Sequence, residues 1–154
     1  MATALIADLS DASRRAASHM LERLGFRVAT ASVAEEALAL IAGTMPDLVL
    51  ADARIETANG GPLSPSIRKL ARGKDICLFH VTADAGASSI RRAMEAGADD
   101  YLVKPYDEAL LRFKLMQARA RGRIDAGRPK LRVVQDNAAT GETSWRFGLY
   151  GKAV

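Results

Sequence analysis

Four polar side chains close four apolar runs in this chain: Asp8 after TALIA, Asp52 after Leu48-Val49-Leu50, Thr82 after ICLFHV and Lys104 after DYLV. A carboxylate can serve as a nucleophile or hold a divalent cation. A lysine adds a fixed positive charge, and a threonine hydroxyl can donate to an oxyanion. One acid alone says little. Four such groups at the ends of four runs, all aimed into one crevice, form a specific signal.

A second group lies late in the chain. Arg119 and Arg123 are four apart, as are Arg128 and Arg132; Asp125 follows Arg123 by two, and Trp145 is the one tryptophan. Arginine pairs bidentately with O6 and N7 of guanine, and a carboxylate accepts from guanine N1 and N2. Arginine and tryptophan planes also stack on bases. Arginine, an acid and one aromatic ring are what a compact guanine dinucleotide needs, and its phosphates would draw on the same positive charge.

These residues need a scaffold. The 154 residues are 49% hydrophobic and 26% charged, which fits one globular domain with a tail and argues against global disorder. No apolar run approaches the ~18–20 residues of a membrane span. Acids enter too early in MATALIADLSD for a signal peptide, so a cytoplasmic location is expected. A single cysteine, Cys77, with His19 and His80, leaves no disulfide framework and no multi-cysteine zinc site.

Short apolar runs alternate with helical patterns. Strands are expected at 3–7, 26–30, 48–50, 76–81 and 100–103. Helices are expected from Asp11 as cap to Gly25, from a Ser32 cap through Ile41, from Ser64-Pro65, over 88–97, and from an Asp107 cap to about Ala120. The first of these carries Ala16, Met20, Leu21 and Leu24 on its apolar face. Five strand–helix units imply an α/β fold, a doubly wound parallel sheet covered on both faces, with any site at the carboxyl ends of the strands.

The strings PDLVLAD (46–52), Asn59-Gly60, HVTADA (80–85) and AGADDYLVKPY (96–106) resemble the receiver domain of bacterial response regulators, the CheY-like fold, over about residues 3–120. The resemblance implies strand order 2-1-3-4-5 and a receiver domain at 1–120. It implies a phosphoacceptor at Asp52, magnesium at Asp8 and Asp52, a switch hydroxyl at Thr82, a phosphate-contacting lysine at Lys104 with a cis bond to Pro105, and a switching aromatic at Tyr101. The partner in that chemistry is a histidine kinase or phosphotransfer protein, and the domain signals without being an enzyme. Asp52 would attack a phosphohistidine and form an acyl phosphate.

The chain departs from that pattern beside the acids. The family's second acid after strand one is Leu9 here, the usual Met-Pro after the acceptor is Ile55-Glu56, and Arg54 and Glu56 add charges. Magnesium is therefore expected to bind weakly. Cys77 reads as a core residue, His19 as a surface residue, His80 as packed near the site without a proton-transfer role, and Arg91-Arg92 as a solvated face.

Residues 121–154 form a basic extension. The first 117 residues carry 14 basic and 15 acidic side chains; the last 37 carry eight and three, and six of those eight are arginine. Arginine is favoured where planar stacking or bidentate bonding is needed. The extension resembles that of the Cle group of CheY-like proteins, which bind cyclic di-GMP and act on the flagellar motor. The resemblance implies cyclic di-GMP at Arg119, Arg123, Asp125, Arg128, Arg132 and Trp145, and a protein target. A receiver controlled only by phosphorylation, its tail docking on a protein, is the rival. Nucleic acid is disfavoured, since no folded recognition helix is present and acids interleave the basic residues. Two β-prone stretches, 131–134 and 143–149, flank a turn-rich NAATGE. The tail is expected to run irregularly after Arg121, to be mobile alone, and to order on a ligand against the face near Arg91, Tyr101 and Lys114.

Overall fold

The computed structural model describes residues 1–124 in full and the backbone of two strands, 131–137 and 143–149. Residues 1–124 form one compact unit. Its five strands are β1 (Thr3–Ala7), β2 (Arg27–Ala31), β3 (Leu48–Asp52), β4 (Cys77–Thr82) and β5 (Asp100–Val103). They pair in parallel in the order β2-β1-β3-β4-β5, as expected. The helices between and after them are α1 (Asp11–Arg23), α2 (Ala34–Thr44), α3 (Leu63–Lys69), α4 (Ala87–Glu95) and α5 (Glu108–Ala120).

Strand periodicity divides the core. Successive side chains point to opposite faces, so Leu48 and Leu50 join Ile6, Phe79, Leu102, Leu111 and Leu115 on one side. Val49 and Ala51 join Leu5, Leu78, Ile41 and Ile67 on the other. Every residue of β3 is buried, which is why its sequence reads as a continuous apolar run rather than an alternating one.

Local capping shifts several expected boundaries. Ser10, not Asp11, caps α1: its extended backbone lets the hydroxyl accept the Ser13 N–H at 3.2 Å. Asp11 instead sits in the first turn, where it suits the helix dipole and pairs with Arg14 and Arg15. The buried face of α1 is Ala17 and Leu21, with Ala16 exposed. Val33 holds the cap position of α2 without a side-chain bond, so Ser32 lies one residue too early. Ser64-Pro65 falls within the first turn of α3, which Leu63 opens. Asp107 does cap α5, accepting the Leu110 N–H at 2.8 Å.

After α5 the chain turns at Gly122, whose φ of +73° is open to glycine at little cost. Ile124 then returns to the core formed with Leu115 and Ala118. In the second unit, β6 (Leu131–Asn137) and β7 (Thr143–Leu149) form an antiparallel pair in register Leu131↔Leu149 to Asn137↔Thr143. Strand β6 runs three residues beyond the expected stretch, because backbone pairing continues through Gln135 and Asp136 regardless of their weak strand propensity. The expected irregular course over 125–130 lies outside the described residues.

Phe79 is fully buried at the centre of one core face, whereas Phe113 on α5 is 49% exposed. Phe79→Ala should therefore lower unfolding free energy by about 3–5 kcal/mol. Phe113→Ala should change it by about 0.5 kcal/mol or less. Urea unfolding of the two variants checks the contrast.

Candidate functional site

The ends of β1, β3, β4 and β5 bring Asp8, Asp52, Thr82 and Lys104 to one cleft, as their spacing predicted. Residues Ser10, Asp52, Arg54, Thr82, Asp84 and Lys104 line a cavity of about 460 Å³. Asp8, Asp52 and Thr82 are each 4% exposed. Lys104 Nζ donates to Asp8 Oδ2 and Asp52 Oδ2 at 2.6 Å each, and to Ser13 Oγ at 3.3 Å. One ammonium thus bridges two carboxylates carried by different strands.

The other carboxylate oxygens are also occupied. Asp8 Oδ1 accepts the Ser10 N–H at 2.8 Å. Asp52 Oδ1 accepts the Arg54 N–H at 2.8 Å and Arg54 Nε at 3.2 Å, while Arg54 Nη2 reaches Asp8 Oδ1 at 3.4 Å. Arg14 donates to the Asp8 carbonyl at 2.7 Å. Burial works to raise the Asp52 pKa, but the bonds from Lys104 and from the Arg54 backbone and side chain outweigh it, and the net shift is downward. Asp52 is an anion at neutral pH.

Thr82 Oγ1 accepts the Asp84 N–H at 3.0 Å, which leaves its own O–H to donate. His80 is half-buried; burial holds its pKa below the ordinary value of 6.5, against the opposing pull of Asp52. The Lys104-Pro105 bond is cis, as expected. Tyr101 is half-buried with Lys114 Nζ 3.9 Å from its ring centre, and Lys114 also bonds Asp100 at 2.7 Å. Lys114, on α5, is thus engaged by β5, while Arg91 stays exposed. Cys77 is buried and His19 exposed, as expected, and burial pushes the Cys77 thiol up to about 12.

Magnesium was expected weakly at Asp8 and Asp52. Among the described residues no three His, Cys, Asp or Glu side chains converge to hold a metal. Leu9, in the place of the family's second acid, is 50% exposed. Each carboxylate oxygen of Asp8 and Asp52 already accepts from a cation or a backbone N–H, so a divalent ion held by these two acids would compete with Lys104 and Arg54.

The extension residues separate into two groups. Arg119 is exposed, with its guanidinium 5.9 Å from the Phe26 ring centre. Arg123 is held at the opposite, amino-terminal end of the sheet. It donates to Asp99 Oδ1, the Lys74 carbonyl and the Ile76 carbonyl at 2.9 Å each. Arg68 bonds the same Asp99 at 2.9 Å, and the Leu78 N–H does so at 2.8 Å. A ligand at Arg123 would compete with these partners. Asp125 and Arg128, and the side chains of Arg132 and Trp145, lie outside the described residues.

The sequence did not single out Ser10, Ser13 or Tyr106 as neighbours of the site. Tyr106 is partly buried beside it, and desolvation followed by the charges of Asp8 and Asp52 raises its phenol to about 12. Arg54 was noted only as a nearby charge. The usable signal was its place two residues after Asp52, within reach of the same carboxylate.

The model of the response regulator receiver domain family matches residues 4–116. Chemotaxis protein CheY1 of Helicobacter pylori is 31% identical over 113 residues, 72% of this chain and 91% of that protein. Transcriptional regulatory protein AfsQ1 of Streptomyces coelicolor is 31% identical over 122 residues, 79% of this chain and 53% of that protein. The chain spans about half or less of the length of such transcriptional regulators. The receiver domain of the sensor histidine kinase PA1611 from Pseudomonas aeruginosa superimposes with a TM-score of 0.68 at 25% identity. It covers 75% of this chain and 95% of that one, and it carries a magnesium ion in its active site cleft.

The depressed pKa of His80 has a sign. The unfolded chain binds a proton near pH 6.5 that the folded state resists, so stability is complete above that pH and falls as pH drops towards the folded pKa. Asp52 and Asp99, both lowered, add a further loss below about pH 3.8. His80→Gln should remove the upper part of this acid sensitivity and leave the lower part, as read by chemical denaturation across the pH range.

Proposed function

This chain belongs to the response regulator receiver family, and from that premise we propose that it is a CheY-like signalling protein whose arginine-rich extension binds cyclic di-GMP. On ordering, the extension docks on a protein partner such as the flagellar motor. The observation that carries this reading is the charge split: the receiver body is near neutral, while the last 37 residues hold eight basic side chains against three acidic ones, mostly as arginine. That composition suits guanine edges and phosphates together. An isolated two-stranded hairpin is marginal in water, so a ligand that contacts β6 and β7 adds order where little is supplied locally.

Within the set proposed from sequence, Asp125, Arg128, Arg132 and Trp145 carry the reading, with Arg119 exposed at the end of α5. Arg123 is committed to Asp99 and joins the ligand only by leaving it. Docking of the ordered extension near Arg91 and Tyr101 would build a composite surface for the partner without a phosphate.

A second reading is favoured by the cleft itself. Asp52, ionised and flanked by Lys104 and Thr82, is arranged as a phosphoacceptor. One Asp52 oxygen would attack the phosphorus of a phosphohistidine, the N–P bond would break, and the imidazole would leave. Lys104 would then follow the phosphoryl oxygens, and the Thr82 O–H would donate to one of them. A histidine kinase or phosphotransfer protein is the partner in that case.

Calorimetric titration of the full chain with cyclic di-GMP, GTP and a DNA duplex at moderate salt separates the readings. Cyclic di-GMP alone should bind. Each bidentate guanine contact is worth about 1–3 kcal/mol, so Arg128→Ala with Arg132→Ala should cost about thirtyfold to ten thousandfold in affinity. Lysine at both positions should fail as well, since it keeps charge but loses the planar fork. Wild-type affinity in the double variant removes these residues from the site. Absence of binding together with rapid labelling of Asp52 by a small phosphodonor favours the second reading.

A further inference from the structure

The acidic cleft carries its own counter-ions. Asp8 and Asp52 contribute two negative charges at 4% exposure, and Lys104 and Arg54 contribute two positive ones. Lys104 covers one oxygen of each acid. Arg54 covers the other two, Nε on Asp52 Oδ1 and Nη2 on Asp8 Oδ1. This division uses the width of a guanidinium, which presents separate donors to two carboxylates where an ammonium presents a point charge. The Arg54 backbone N–H bonds the same Asp52 Oδ1 at 2.8 Å, so the turn after β3 fixes the residue beside its target. Arg14 bonds the Asp8 carbonyl and pairs with Asp11, so its charge is matched outside this set.

We propose that Arg54 is a built-in substitute for a divalent cation: with Lys104 it neutralises Asp8 and Asp52, so that this receiver's acidic cleft is charge-balanced and organised without metal. A dication added to a neutral set would leave two uncompensated positive charges beside the Arg54 and Lys104 heads, against acids that are themselves buried, where like charges are costly. Leu9 follows from the same arrangement. A further acid there would unbalance a set already at zero, and an apolar residue does not. The inference concerns the receiver cleft alone and stands or falls apart from the cyclic di-GMP reading.

The test uses the full-length chain, Mn²⁺ binding followed by electron paramagnetic resonance, and thermal unfolding in Mg²⁺ or in EDTA. The wild type should unfold at the same temperature in both media and bind Mn²⁺ feebly. Arg54→Ala, at a side chain 59% exposed, should keep the fold. It should lose stability in EDTA, recover it in Mg²⁺, and bind Mn²⁺ roughly ten- to a hundredfold more tightly, the scale of outer-shell effects at metal sites. Arg54→Ala with Leu9→Asp should bind more tightly still. Arg54→Lys should fall between wild type and Arg54→Ala, because the positive charge remains but the fork that reaches both carboxylates is lost. Arg54→Gln gives the same readout should the alanine variant fold poorly. Wild-type protein that binds Mn²⁺ as tightly as Arg54→Ala, or Arg54 variants that gain no Mg²⁺ dependence, overturn the proposal.

Discussion

A single ammonium group between two buried carboxylates governs the receiver cleft. Lys104 reaches Asp8 and Asp52 at 2.6 Å each, across 96 and 52 residues of chain. Two acids this deeply buried repel one another and lose hydration, and neither cost is tolerable without a nearby cation. The bridge exists only if β1 ends beside β3 on one side and β5 ends one strand further on the other, across β4. Strand order and parallel register are therefore what the site depends on, and the two apolar layers around Phe79 and Val49 are what fix them.

From that bridge the rest of the cleft follows. The oxygens that Lys104 leaves are filled from the loops after β1 and β3, by Ser10 and Arg54. Thr82 is held by Asp84 with its proton to spare. At the opposite end of the sheet a mirror-image arrangement appears: one acid, Asp99, binds two arginines, Arg68 and Arg123. The first node organises chemistry at the carboxyl ends of the strands. The second ties the segment after α5 to the start of β4, which is why the compact unit ends at Ile124.

Much of this was legible in the residues. Buried parallel strands read as unbroken apolar runs, so β3 and β4 announced themselves, and the polar residue ending each run marked the cleft. Caps were less legible. Ser10 and Asp11 both suit a helix start, and only the backbone conformation at Ser10 decides between them. Long side chains were least legible. Arg123 belongs by spacing with the other late arginines, yet its partners are carbonyls and a carboxylate 24 to 49 residues away. Arg54 read as one more charge near the site, because sequence gives its position but not the two carboxylates its guanidinium spans.

Lys104 and Arg54 hold the acidic cleft of this receiver, and under the proposed function the signal enters through the arginines of the extension. The most direct measurement is the affinity of the full-length Asp52→Asn variant for cyclic di-GMP, titrated in EDTA beside the wild type. The account predicts equal, tight binding by both proteins with no metal present. Binding that is missing from the wild type, or that disappears in Asp52→Asn, would contradict it.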